Sequence, residues 1–358
     1  MHIREKHQIY SEKCKGENRM KKLLGFILAA IMLCSVSTVF AEAKVMTYTN
    51  PIATQAADPY LIQHGDTYYY IYTRTTYLKV AKVDDPTRLD YYDVTTAKTV
   101  YTAPEGTMWS NDYWAPELHY IQGEWYIYVA ADDGLNDNHR MYVLKGTSQD
   151  PRDPFEMVGK VTDPSDKWAI DGTVMQYKDE LYFIWSGWPG YVNERQNLYI
   201  AHMSDPCTID SQRVMISAPV NDWECRVYPI NEGPQILIKG DTAHIIYSAS
   251  ASWEDDYCLA ALTYRPEQGD IMDPKAWIKT GPLFSKAEQA YGPGHCSFIK
   301  SPDGTEDYIV YHANRISHTG WSGRSGRMQK FTWDGDMPVF GTPAMCGEKL
   351  PVPSGTTR

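Results

Sequence analysis

The stretch ADPYLIQHGDTYYYIYT (residues 57–73) opens on an acid beside proline, runs into an apolar strand, turns at HGD and returns as a strand of Tyr and Ile. Four stretches repeat that plan: APELHYIQGEWYIYVAA from Ala115, IDGTVMQYKDELYFIWSG from Ile170, EGPQILIKGDTAHIIYSAS from Glu232 and GHCSFIKSPDGTEDYIVYHA from Gly294. Turn residues between two short β-rich runs mark a hairpin. One such unit repeated at a fixed period means blades around an axis or a stacked array. Between Asp58, Pro116, Asp171, Glu232 and His295 the intervals are 58, 55, 61 and 63 residues. A four-stranded blade takes roughly 40–50 residues, so these blades are four-stranded with generous loops. A β-sandwich of similar hairpins would not require even spacing. The expected fold is therefore all-β, a five-bladed β-propeller. Helices should be few, because no long apolar stripe of helical period appears.

Met20-Lys21-Lys22 precedes an uncharged run from Leu23 to Phe40 and then Ala41-Glu42-Ala43. A basic start, an apolar core and small residues at a cut site read as a secretory signal peptide. Residues 1–43 are thus expected to be an N-terminal extension plus leader, with Met20 a candidate start. A membrane anchor is the alternative, since the run is just long enough to span. Residues 44–358 are expected to be one catalytic domain, secreted or periplasmic, with no stable membrane partner once the leader is cut. Five cysteines fall in this part, Cys207, Cys225, Cys258, Cys296 and Cys346. Their spacing fits neither a zinc ribbon nor a dense disulfide framework. A net charge of −11 without a basic stripe argues against nucleic acid as a partner. The 27 Tyr and 11 Trp suit wide strands, and a few would suit the apolar faces of sugar rings.

Asp58, Asp171 and Glu232 stand at the openings of repeats one, three and four, each against Pro or Gly. A single Asp there could simply cap a turn. Three at equivalent points of a ring converge on its centre. Glu117 is displaced along its strand and turns differently, so a structural role is expected for it. Carboxylates around a sugar-sized pocket suggest glycoside hydrolysis. One must be protonated to assist the leaving oxygen and another ionised to activate water. Burial and neighbouring like charge supply that difference.

The ordered phrases ADPYLI (57–62), WAPELH (114–119), AIDGTV (169–174), NEGPQIL (231–237) and YGPGHCSF (291–298) resemble glycoside hydrolase family 43. That resemblance implies a five-bladed propeller and an inverting enzyme. It implies Asp58 as general base, Glu232 as general acid and Asp171 as the acid that raises the pKa of Glu232 and orients the sugar. It also implies a structural calcium near the axis beside His295, held largely by waters; calcium's preference for oxygen makes His295 an unusual partner otherwise. No cofactor is required for the chemistry. Three stretches, from Asn231, Tyr291 and Arg327, are similar to the exo-acting α-L-arabinofuranosidase branch. The expected substrate is plant cell-wall arabinan or arabinose-decorated hemicellulose. A β-D-xylosidase of the same fold is the runner-up, and a non-catalytic carbohydrate-binding propeller is a third reading.

Trp114, Trp188 and His295 are candidates for the sugar-facing surface, with Trp109 and Trp185 as further Trp candidates. Arg327 is the candidate arginine from WSGRSGRMQ (321–329), with Arg324 the alternative; either could equally be a solvated loop charge. ADDGLNDNH (131–139) is oxygen-rich but lacks EF-hand spacing and reads as a rim loop.

Overall fold

The computed structural model describes residues 46–357, so the expected leader lies outside the described residues. From Thr47 onward the chain is one compact unit. It contains five antiparallel sheets, each built from consecutive strands. Blade 1 is Tyr60–His64, Thr67–Ile71, Tyr77–Val83 and Lys98–Thr102. Blade 2 is Asn111–Ile121, Glu124–Asp132, Arg140–Gly146 and Phe155–Lys160. Blade 3 is Ala169–Tyr177, Glu180–Gly187 and Asn197–Asp205, whose outer edge takes both Thr208–Ile209 and Val214–Ser217. Blade 4 is Asn231–Lys239, Thr242–Ala249, Cys258–Tyr264 and Trp277–Phe284. Blade 5 is Tyr291–Lys300, Asp307–Asn314, Arg324–Asp334 and Met337–Val339. The first strand of each blade touches the first strand of the next, and that of blade 5 touches that of blade 1, which closes the ring. Among the described residues there is one α-helix, Leu89–Thr95. No helix among them is long and apolar enough to cross a membrane.

The hydrophobic core is divided into five clusters, one between each pair of neighbouring blades. This explains why the second strands read as nearly continuous apolar runs instead of alternating. A strand's successive side chains point to opposite faces, and here both faces are covered by another blade. In TAHIIYSA, Ile245 and Tyr247 pack toward blade 3 while Ile246 packs toward blade 5. Each fully buried side chain of this size contributes roughly 1.5–3 kcal/mol. All five cysteines are free, and Cys258 and Cys296 are buried in these clusters.

The ring is latched where the chain's two ends meet. Thr47–Tyr48 pairs with Leu350–Pro351, and Asn50 bridges to Cys346. Asn50 is buried, donates its amide to the Met328 carbonyl at 2.9 Å and accepts the Met328 N–H at 3.0 Å. One side chain therefore satisfies both backbone groups of a blade 5 residue from outside the blade. Asn50→Ala would leave both without that partner. The carbonyl still accepts the Tyr48 hydroxyl at 2.9 Å, so the expected cost is that of the orphaned N–H, about 1–2 kcal/mol, read as a lower urea midpoint with an unchanged m-value.

Candidate active site

Each inner strand carries a left-handed residue at one equivalent point: Asp58 (φ 53°), Ala115 (43°), Asp171 (55°), Gly233 (53°) and His295 (44°), with Asp112 and Gly292 as second ones in blades 2 and 5. The intervals between the equivalent residues are 57, 56, 62 and 62 residues. In blades 2 to 5 the same point carries a register shift in the pairing of the first two strands. Such a bulge turns the strand end and re-aims its side chains. A non-glycine residue there costs on the order of 1–3 kcal/mol, which short polar Asp bears best. The next residue, Gly172, is required by packing. A Cβ on it would lie 2.2 Å from the Phe183 ring.

This frame corrects one expectation. Asp58 and Asp171 are repeat-equivalent, and His295 shares their column, but Glu232 precedes the left-handed Gly233 by one residue. Its equivalents are Trp114 and Ile170. Both columns nevertheless face one cavity of about 430 Å³, lined by Asp58, Asp171, His295, Trp114, Ile170 and Glu232 among others. The three acids and His295 are all buried, each less than 10% exposed.

Asp58 is held from several elements. The Thr73 hydroxyl donates to Oδ2 at 2.5 Å, and an Arg324 Nη donates to Oδ1 at 3.1 Å. His295 Nδ1 stands 3.3 Å from the same oxygen. The Asp58 N–H donates to His312 Nδ1 at 3.2 Å, and burial holds the His312 imidazole far below its usual pKa, in the neutral form. Burial resists ionisation of Asp58. The Arg324 guanidinium, aided by His295 and the Thr73 hydroxyl, overrides it and holds the carboxyl well below the usual range.

Asp171 and Glu232 lie in the opposite regime. Burial, then the charges of Glu232 and Asp58, push Asp171 up to about 7 against the influence of His295 and the Gly233 N–H, which donates to Oδ2 at 3.0 Å. Burial, then the charge of Asp58, pushes Glu232 up to about 7 as well. Its Oε1 accepts the Tyr257 hydroxyl at 2.8 Å, and the nearby Ser252 hydroxyl also opposes the rise. Tyr257 reaches it because residue 294 is glycine; a Cβ there would sit 2.2 Å from the Tyr257 ring. Like charges in one dry site cannot both ionise freely, so Asp171 and Glu232 keep a proton between them near neutrality.

The aromatic wall is only partly the expected one. Trp114 faces the cavity, stacked on the buried His139 at 4.1 Å between centroids. Trp188 does not face it; it is buried, stacked beneath Trp168 at 4.7 Å, and Trp168 takes the lining position. Trp109 and Trp185 pack into the blade clusters. Trp253, Trp321 and Tyr228, all unforeseen, also line it. Arg327 is also corrected. It is fully buried behind the cavity, and the lining arginine is Arg324. The two are three residues apart in one strand, and an odd separation places them on opposite faces. Glu117 is buried, hydrogen-bonded to His119 at 2.8 Å and to Gln235 of blade 4, away from the lining. The 131–139 segment is a rim loop that brings Asn136 to the cavity. Among the described residues no group of three or more His, Cys, Asp or Glu side chains is placed to hold a metal. The calcium that the resemblance implies beside His295 would therefore have to be held largely by waters.

Comparison with known proteins agrees with this geometry. The chain is 33% identical to an extracellular exo-α-(1→5)-L-arabinofuranosidase of Streptomyces avermitilis, over 91% of this chain and 70% of that one. It is 31% identical to the protein of the same name from Streptomyces chartreusis, over 83% and 92%. The crystal structure of an α-L-arabinofuranosidase from Lactobacillus brevis superposes with a TM-score of 0.78 at 32% identity, covering 84% of this chain and 98% of that one. The family description Glycosyl hydrolases family 43 matches residues 48–338. That span takes in every blade and all three buried acids, and the chain belongs to this family.

Proposed function

We propose that this chain is an inverting, exo-acting α-L-arabinofuranosidase that hydrolyses terminal arabinofuranosyl units of α-1,5-arabinan or of hemicellulose side chains. The observation that carries the mechanism is the split in ionisation across one cavity. Asp58 is held as a carboxylate beside Arg324, while Glu232 is raised to about 7. A base and an acid with separated proton affinities are what single-displacement hydrolysis requires. The arabinofuranosidase names of relatives above 30% identity support the sugar, and the word extracellular in two of those names supports export.

In this mechanism Asp58 accepts a proton from water as the water oxygen bonds to the anomeric carbon. The bond from that carbon to the leaving oxygen breaks, and Glu232 gives its proton to that oxygen. Asp58 then releases its proton and Glu232 regains one, so the net change is addition of water across the glycosidic bond. Asp171 is a positioning group. Its charge favours the proton on Glu232, and its hydrogen bond from Gly233 fixes it beside the acid. The Trp114 and Trp168 faces supply apolar surface for the sugar ring.

The substrate test compares 4-nitrophenyl α-L-arabinofuranoside, 4-nitrophenyl β-D-xylopyranoside and linear α-1,5-arabino-oligosaccharides. Arabinose release from the first and third is expected. Xylose release alone would replace this reading with the xylosidase one.

Glu232→Gln should lower kcat/KM on arabino-oligosaccharides about 10²–10⁴-fold and hurt the nitrophenyl arabinoside far less, because a good leaving group needs little protonation. Equal losses on both would remove the general-acid role. Asp58→Asn should abolish turnover of both substrates.

The pH profile should be bell-shaped, with its basic limb near the Glu232 value of about 7. Asp171→Asn removes a negative charge beside Glu232, lowers its proton affinity and so moves the basic limb down. Arg324→Met removes the positive charge that keeps Asp58 ionised, so the acidic limb moves up. Profiles of kcat/KM against pH for the three proteins check both signs.

A further inference from the structure

The wall beside Glu232 is made by two loops. One, residues 250–257, leaves the second strand of blade 4; the other, residues 315–323, joins the second and third strands of blade 5. They are tied together at Asp255, which accepts the Ser317 hydroxyl and, at 2.9 Å, the His318 N–H. Above that tie Trp253 and Trp321 meet edge to face, 5.6 Å apart at 84°. Trp321 is 58% exposed although it lines the cavity. A large aromatic held open at the mouth of a sugar-sized cavity is surface waiting for a ring.

The Trp321 indole is also the start of a hydrogen-bond chain. Its Nε1–H donates to the Ser252 Oγ at 3.1 Å, and Ser252 lines the same cavity as Glu232 and opposes the upward shift of its carboxyl. An indole nitrogen can only donate, and a hydroxyl has one hydrogen. Ser252 therefore accepts from Trp321, which leaves its one hydrogen free to turn toward Glu232 across the cavity wall. The turn that carries Trp321, Gly320–Gly323, runs directly into Arg324, which holds Asp58. A Cβ on Gly323 would lie 2.4 Å from the Thr319 Oγ1, so the turn is closed tightly behind the indole.

We infer that Trp321 is a positioning residue for bond cleavage: its ring receives the leaving-group sugar on the Glu232 side, and its N–H locks the Ser252 hydroxyl onto the Glu232 carboxyl. This rests on the Glu232 role proposed above. The hydrogen bond from Ser252 favours the ionised form of Glu232 and so opposes burial and the charge of Asp58. Asp171, Arg324 and Tyr257 also act on the acid, and His295 lies beyond Gly233. Trp321 thus limits how tightly the acid keeps its proton while the aglycone is in place.

Three variants test the inference on arabinobiose and arabinotriose. Trp321→Phe keeps a ring and loses the N–H; its basic limb should move up by roughly half to one pH unit, with kcat changed more than KM. Ser252→Ala should give the same shift, and combining the two should add nothing further. Trp321→Ala should in addition raise KM for the oligosaccharides roughly five- to tenfold, while inhibition by free arabinose is unchanged. An unmoved basic limb in both Trp321→Phe and Ser252→Ala, or shifts that add in the double variant, would overturn the chain of contacts. The same comparison on unliganded protein, following the Glu232 carboxyl by ¹³C NMR, does not depend on any substrate. A wild type silent on arabinosides would sink the arabinofuranosidase reading, whereas an equal Glu232 titration in wild type and Trp321→Phe would sink this one.

Discussion

The left-handed residue at the mouth of each inner strand is the constraint on which the site depends. A regular strand would send alternate side chains into the two neighbouring blades, as the second strands do with Ile245, Ile246 and Tyr247. At the openings the backbone instead takes positive φ and the register slips. Two successive side chains then reach the cavity at the axis, even where one of them, Ile170, still packs in a blade interface. In blade 3 these are Ile170 and Asp171, and in blade 4 the first of the pair is Glu232, with Gly233 behind it. The strain of such residues is small beside the burial of five clusters, each contributed by two blades. A ring latched by Asn50 can hold several strained positions that an isolated hairpin could not.

Three carboxylates in so small a cavity would be unfavourable if all were charged. The protein resolves this with one cation. Arg324 hydrogen-bonds Asp58 and acts on Glu232 only through space, so one acid is ionised outright and the other two share what protonation burial and mutual repulsion leave. The neutral His312 matters here because it accepts the Asp58 N–H without adding a second positive charge. In the proposed mechanism, the placement of this guanidinium marks Asp58 as the base and leaves Glu232 as the acid.

The ring, its blade count and all three acids were legible in the sequence, because a repeated phrase exposes repeated positions. The offset of Glu232 was not. EGP and DP look alike in print, and only the backbone shows that Gly233, not Glu232, occupies the left-handed place. Arg327 was chosen over Arg324 because no sequence pattern says which face of the last long strand looks inward. Strand parity would have separated the two without deciding between them. Trp188 was misplaced for a similar reason. Indoles at 168 and 188 stack with planes 9° apart, and sequence does not show which of two stacked rings is on top. Trp253 and Trp321 sit on loops outside the repeated phrase, where the periodic argument has no purchase.

The most direct test of this arrangement is the anomeric configuration of the first sugar released, followed by ¹H NMR in the seconds after enzyme meets an α-L-arabinofuranoside. A water activated by Asp58 on the face opposite Glu232 must deliver β-L-arabinose first, with the α-anomer appearing only as mutarotation proceeds. Immediate release of the α-anomer would mean a covalent intermediate, and would contradict Asp58 as a base and the split in ionisation on which the mechanism stands.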